Sequence, residues 1–414
     1  MSWTNSSPQL FDSAYLSVLS TLETAELTPL IQLDFVYGIN TQTGFTAASG
    51  AGAAVSTSLG ALTVLSGTAS NGYAVFSSVQ SAKYRAGQGI VTRFTTTFGT
   101  PTIGNTQLVG AGSVVSGAPY DGCFFGYNGV TFGIFLYAGG VQTFVPQSSW
   151  NGDTCIARNP VNFSKFSLTQ QNGNEYMIKY PFLGYGNINF YVQNALTSRF
   201  ILVHVIQSAN AISVPLNTNP SLAFIAESFN SASITTGVTI YTGCVGFFVS
   251  GIDSHKSSPK WAIDNNKSGI STETCIVNLK NCTSYNGVAN RSLMRLTAIS
   301  LASASGSASS AISVFRLKWN AIIGGTPSFA CISGTTSDHG ATITSGNSIA
   351  SYDTAGTTVS GGQYRFNVSN TIGQQIIDLT PFELFVIPGD ILSVTAYGTT
   401  SSAIGVSLNW TDDT

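Results

Sequence analysis

Charge is what this sequence has least of. Only 8% of its 414 residues are Asp, Glu, Lys or Arg, 16 basic against 18 acidic, where soluble domains carry roughly 25%. A surface this poor in charge must be clothed in Ser, Thr, Asn, Gln and Gly, or buried against neighbouring molecules. The two signs nearly cancel, leaving a formal net charge of −2. That offers no basic footprint to a phosphate backbone, so nucleic acid is not an expected partner. Long apolar runs are missing too. The richest stretches, Phe124 to Val141 and Val238 to Ile252, are broken every few positions by Gly, Asn, Thr or Ser, short of the roughly 18 consecutive apolar residues a spanning helix needs. The first basic residue is Lys83, so neither a secretory signal nor a transit peptide is expected.

Cysteine and histidine are sparse as well. Six cysteines are too few for a disulfide scaffold, although Cys275 and Cys282 stand close enough to close a small loop; the alternative is buried free thiols. No pair shows the C-x-x-C spacing of a zinc site, and His204, His255 and His339 lie far apart, so no metal and no cofactor is expected. Glycoside hydrolysis uses two carboxylates at a set separation. Here Asp34, Asp121, Glu175, Glu227, Asp378, Glu383 and Asp390 sit in separate segments, and no Glu-x-Asp-x-Glu strand occurs. Gly346-Asn347-Ser348-Ile349-Ala350 only loosely matches a nucleophile elbow and lacks its strand-to-helix setting. The consecutive Asp253-Ser254-His255 cannot adopt relay geometry. The expectation is a protein that is not an enzyme. Seven Asn-x-Ser/Thr sequons carry no signal in a chain so rich in these residues.

What is present is β-pattern. Leu16, Leu19, Leu22 and Leu27 recur at helical spacing before Pro29, residues 30–37 alternate as a strand, and Thr43 to Gly60 is rich in Gly, Ala and Ser. Residues 1–60 are therefore read as an arm able to reach a neighbouring subunit. From Leu62 to Gly251, runs of Val, Ile, Phe, Tyr and Thr alternate with Gly, Asn or Pro at about 8–12-residue spacing. Ile90 to Phe98 shows strict two-residue alternation. Strands without intervening helices predict an antiparallel sandwich over residues 61–252, since parallel pairs need crossovers. Between His255 and Arg295 fall six of the sixteen basic residues, so 253–289 reads as a linker or excursion. Residues 290–414 carry about eight strand-like segments, the count of a jelly roll, with Pro388-Gly389-Asp390 as a tight turn. The fold class expected is all-β, a concanavalin-like sandwich followed by a jelly-roll sandwich.

Two resemblances follow from particular residues. Asp121-Gly122-Cys123-Phe124-Phe125, after the Phe94-Thr95-Thr96-Thr97-Phe98 strand, resembles the sugar-binding region of concanavalin-type lectins. It implies that Asp121 accepts hydrogen bonds from sugar hydroxyls, with Tyr127 and Asn128 beside it as further ligand-binding residues. The family's metal-binding cluster has no counterpart around Tyr176 to Val192. Phe124, Phe125 and Phe132 are expected to fill or flank the core, and Asn128-Gly129 to reverse the chain as a hairpin. A broader resemblance spans nearly the whole chain, to β-rich virion structural proteins of tailed phages and large DNA viruses. It rests on Leu10-Phe11-Asp12-Ser13, Gln32-Leu33-Asp34-Phe35, residues 84–89 with Arg93-Phe94-Thr95, residues 124–129 and 183–188, Val203-His204, and the closing 388–410 segment. That resemblance implies a homo-oligomeric component of a capsid, vertex, spike or fibre, located in the virion with itself and other virion proteins as partners. The alternative is a lectin-like module that binds a host glycan for attachment.

Overall fold

The computed structural model describes residues 27–115, 118–157, 159–180, 184–251, 258–285, 288–305, 312–332, 348–370, 373–398 and 402–412. Leu16, Leu19 and Leu22, whose spacing predicts a helix, lie outside these, as do His255 and His339. The chain divides into two compact units, Met1–Asp253 and Ser254–Thr414. Among the described residues the only helical pieces are the single 3-10 turns Gln147–Ser149 and Thr380–Phe382, and no helix is long and apolar enough to cross a membrane.

The first unit contributes β1 (Leu27–Asp34), β2 (Gly44–Ser49), β3 (Ala53–Ser58), β4 (Ala61–Ser66), β5 (Tyr73–Ala82), β6 (Ile90–Thr97), β7 (Asn105–Val115) and β8 (Ala118–Asn128). It continues with β9 (Thr131–Ala138), β10 (Val141–Pro146), β11 (Asn174–Tyr180), β12 (Ile188–Asn194), β13 (Arg199–Ile206), β14 (Leu222–Asn230) and β15 (Thr239–Ser250). One sheet runs β13-β12-β11-β6-β15-β4-β3, with β1 also on β15; the other runs β10-β9-β8-β7-β14-β5-β2. All these strand pairings are antiparallel, as expected where no helix is available to carry a crossover.

Aromatic rings join the two sheets. Phe125 of β8 lies 4.8 Å from Tyr176 of β11, 5.4 Å from Phe190 of β12 and 6.5 Å from Phe94 of β6, centroid to centroid. Phe132 and Trp150 close the cluster from the β9 side. Successive side chains point to opposite faces, so Cys123, Phe125 and Tyr127 face this inter-sheet core while Phe124 faces outward with Val75, Leu108, Phe135, Tyr137 and Ile225. Phe124 and Phe125 are nevertheless both fully buried. The outward ring lies flat over the sheet because Gly112 leaves it room: a Cβ there would stand 2.1 Å from the Phe124 ring. The β8–β9 reversal is a tight hairpin with Asn128 paired to Thr131. Gly129, at φ 62, takes the first central position, as mirror-type hairpin turns require.

Two boundaries differ from those the composition predicts. Residues 27–60 are not a free arm: β1 pairs with β15 along Leu27–Asp34, β2 with β5 and β3 with β4. Nor do the described residues of 253–289 form a linker. The second unit comprises β16 (Lys260–Ile270), β17 (Thr274–Asn281), β18 (Ser284–Tyr285), β19 (Val288–Ala289), β20 (Met294–Ser305), β21 (Ser313–Trp319), β22 (Ile322–Ile323) and β23 (Ala330–Cys331). It ends with β24 (Ala350–Asp353), β25 (Val359–Ser360), β26 (Gln363–Asn370), β27 (Gly373–Asp378), β28 (Phe385–Val386), β29 (Ile391–Gly398) and β30 (Ser402–Asp412). Its main sheets run β16-β30-β20-β27, with β28 also on β20, and β23-β24-β17-β29-β21-β26. Their shared core includes Ile276, Leu279, Trp319 and Trp410. β16 reads as a loop because it is an edge strand, where charged and polar residues guard the open side. β17 is buried almost throughout. This extended strand also keeps Cys275 from Cys282: both are free thiols, donating to Asn278 Oδ1 and Ser351 Oγ respectively.

Candidate functional site

The structure separates the three residues singled out by the lectin resemblance. Asp121 is fully buried. Its Oδ1 accepts the Gly139 and Thr218 amides at 3.1 and 3.2 Å, and its Oδ2 accepts the Thr218 hydroxyl at 2.7 Å. That carboxylate ties the 139–140 turn to the loop at Thr218. Tyr127 also points inward; its hydroxyl accepts from Gln171 at 2.8 Å and donates to Gln170 at 3.2 Å, and its ring packs on Phe98 and Phe132. Asn128, one residue further, is exposed on the opposite face, where it lines a cavity of about 380 Å³.

That cavity lies on the outer face of the β10-β9-β8-β7-β14-β5-β2 sheet. Ala118 and Pro119 at one end of β8 line it together with Asn128 at the other. Tyr137 and Phe229 supply rings, Leu108 an apolar wall, Gln142 an exposed amide, and Glu227 a carboxylate. Glu227 stands mid-strand on β14, in register with Val75 on one side and Leu108 on the other. Beyond Leu108 the same cross-strand line continues through Gly126 and Gly133, which place no side chain in it. The Tyr137 hydroxyl donates to Gln142 Oε1 at 2.8 Å.

Glu227 differs from every other buried acid among the described residues. Asp153 accepts the Cys155 and Ser164 amides; Asp353 accepts the amides of Ser328, Ala355 and Gly356 and the side chain of Asn278; Asp412 accepts the Ile349 amide and the Trp410 indole. Each of these carboxylates is a loop staple with its donors in place. Glu227 is only 2% exposed, yet its Oε2 has no hydrogen-bond partner. Leaving a buried acceptor unmatched costs about 1–3 kcal/mol, and burial pushes the carboxyl up to about 8. Tyr137 is pushed up as well, first by burial and then by the Glu227 charge. The signal lay in the sequence: Leu222-Ala-Phe-Ile-Ala-Glu-Ser-Phe-Asn230 is an apolar strand carrying one acid at its middle.

A larger cavity, about 630 Å³, is lined by Thr97, Thr100, Thr102, Thr235, Thr236 and Thr239 among others. It holds no unmatched buried polar atom, so the smaller one is the better candidate. Among the described residues no three His, Cys, Asp or Glu side chains gather as a metal site would need.

No protein-family model matches the sequence, and no curated protein matches it. Among solved structures the chain is similar to a β-glucanase from Bacillus licheniformis, at 13% identity and TM-score 0.34, over 54% of this chain and 98% of the other. It is also similar to lectin II from Ulex europaeus, at 10% identity and TM-score 0.34, over 54% and 100%. A legume lectin-like domain from Entamoeba histolytica is matched at 10% identity and TM-score 0.31, over 53% and 97%.

Two outcomes are expected. Asp121→Ala should lower unfolding stability by about 2–4 kcal/mol, the loss of several hydrogen bonds to one buried carboxylate, with faster amide exchange at Gly139 and Thr218. Glu227 acts in the opposite sense. An unfolded Glu ionises near about 4.3, whereas the folded one does so near 8. Between those values the unfolded chain binds fewer protons, so this group's contribution to stability falls as pH rises through that window. Glu227→Gln should flatten that fall and be the more stable protein by about 2–4 kcal/mol near neutral pH, as urea unfolding of both proteins from acid to mildly alkaline pH would measure.

Proposed function

We propose that this protein binds glycans, without catalysis, and that the sugar sits in the Glu227 cavity on the outer face of the first unit's seven-stranded sheet. The observation that carries this reading is the composition of the walls. Aromatic surface from Tyr137 and Phe229 stands beside the polar side chains of Asn128, Gln142 and Glu227, which suits a ligand with apolar C–H faces and a rim of hydroxyls. At about 380 Å³ the cavity is at the small end of the roughly 300–1,000 Å³ typical of small-molecule sites. A single carboxylate in the cavity supports binding, since hydrolysis of a glycosidic bond ordinarily takes a pair. Asn128 and Gln142 are both exposed, so the Asn128→Ala, Gln142→Ala double variant should fold normally. It is expected to lose about tenfold or more in affinity, at about 1 kcal/mol for each hydrogen bond. A glycan array followed by calorimetry on both proteins tests this; a folded wild type that captures no glycan would refute it.

One observation favours a second reading, self-assembly of the kind a particle shell requires. Val36, Tyr37 and Leu59 are 65%, 99% and 103% exposed, and a Cβ placed on Gly60 would stand 3.9 Å from Val36, so the two turns that carry these apolar side chains lie close together. In a chain with 8% charged residues such a patch is a natural contact between copies. On this reading the protein is a homo-oligomeric virion component and the glycan site serves attachment to a host. Light scattering of the purified protein should then give a mass above one chain, and Tyr37→Asp with Leu59→Asp should return it to the monomer; a wild type that stays monomeric at micromolar concentration removes the reading.

A further inference from the structure

The acid in the cavity narrows the class of sugar. We propose that the ligand carries a primary amine, as in a glucosamine-type residue, and that its ammonium pairs with the Glu227 carboxylate; this rests on the glycan reading above.

The four buried aspartates among the described residues each sit among backbone or side-chain N–H donors, whereas Glu227 Oε2 is buried with none. A carboxylate taken from water is costly unless paired, and no described residue lining the cavity supplies a cation. The flanking strands β5 and β7 turn Val75 and Leu108 toward it. Among the described residues lining the cavity there is no Lys, Arg or His, and Tyr137 is the other titratable group. At neutral pH the unpaired group, pushed up to about 8 by burial, keeps its proton, and an ammonium arriving with the ligand would supply the counter-charge that lets it ionise. Tyr137 and Phe229 favour the same chemistry, because aromatic faces attract an ammonium group by about 0.5–2 kcal/mol. A purely neutral sugar could hydrogen-bond the protonated carboxyl but would bring no charge to favour its ionised form.

Glucosamine oligomers and their fully N-acetylated counterparts share ring, linkage and hydroxyls and differ in the charge at one nitrogen, so they are the probes. By calorimetry at neutral pH the intact protein is expected to bind the free-amine oligomer at least about tenfold more tightly than the acetylated one. Glu227→Gln, checked for folding by its thermal midpoint, should abolish that preference. Glu227→Asp, which withdraws the carboxylate by one methylene, should reduce it and serves if the first variant does not fold. Equal binding of the two oligomers, a preference for the acetylated one, or a preference that survives Glu227→Gln overturns the amine assignment and leaves the glycan reading standing. Failure to bind these or any other sugar overturns both.

Discussion

The pleat of β8 is the constraint on which the first unit depends. Its side chains must alternate between two faces, and here both faces are apolar and both are buried. Phe125 enters the aromatic cluster between the sheets, while Phe124 lies against the outside of the same sheet over Gly112. A one-residue slip would exchange the two sets, setting Asp121 and Tyr127 outside and Asn128 inside. Pairing with β7 on one side and β9 on the other holds the register from Gly122 to Asn128. The same alternation on β14 turns Phe224 and Ala226 inward and Ile225 and Glu227 outward. That is why a carboxylate ends up in an apolar row.

Scarcity of charge makes that carboxylate informative. Many of the polar tasks inside the molecule fall to amides. Asn105 donates to Ser228 Oγ, the Phe229 carbonyl and Asn230 Oδ1, and Asn230 donates to the carbonyls of Ser66, Gly67 and Ala69. The second unit gathers several of its charges on the outer face of one sheet. There Glu273 accepts from Arg316 at 3.0 Å, Lys318 at 3.1 Å and Thr395 at 2.8 Å, and the two cations lie over Tyr364. Among the buried acids of the described residues, a carboxyl with an oxygen lacking any donor stands apart.

Much of the fold was legible, and the failures share a cause. Strands such as β6, β11, β12 and β13 show themselves through alternation or β-branched runs, which are local properties of the chain. Residues 27–60 and 253–289 were misread because edge strands built from small or polar residues have the composition of loops. What makes them strands is the partner each one finds, β15 for β1 and β30 for β16. At the site, Asn128 was legible as a hairpin residue and does line the cavity. Asp121 and Tyr127 sit in the same short run but face the other way, and Glu227, though the lone acid of an apolar strand, was counted with the other isolated acids.

By itself the amino-acid order determined an all-β chain of antiparallel strands beyond its first thirty residues, because alternation and glycine-marked turns act over a few neighbouring residues. Which face each side chain occupies, which carboxylates are matched and where a cavity opens were decided only by tertiary structure. Glu227 is set between Val75 and Leu108, partners more than a hundred positions away in the chain. No local pattern carries that register, and without it the solvation of the carboxyl is undefined.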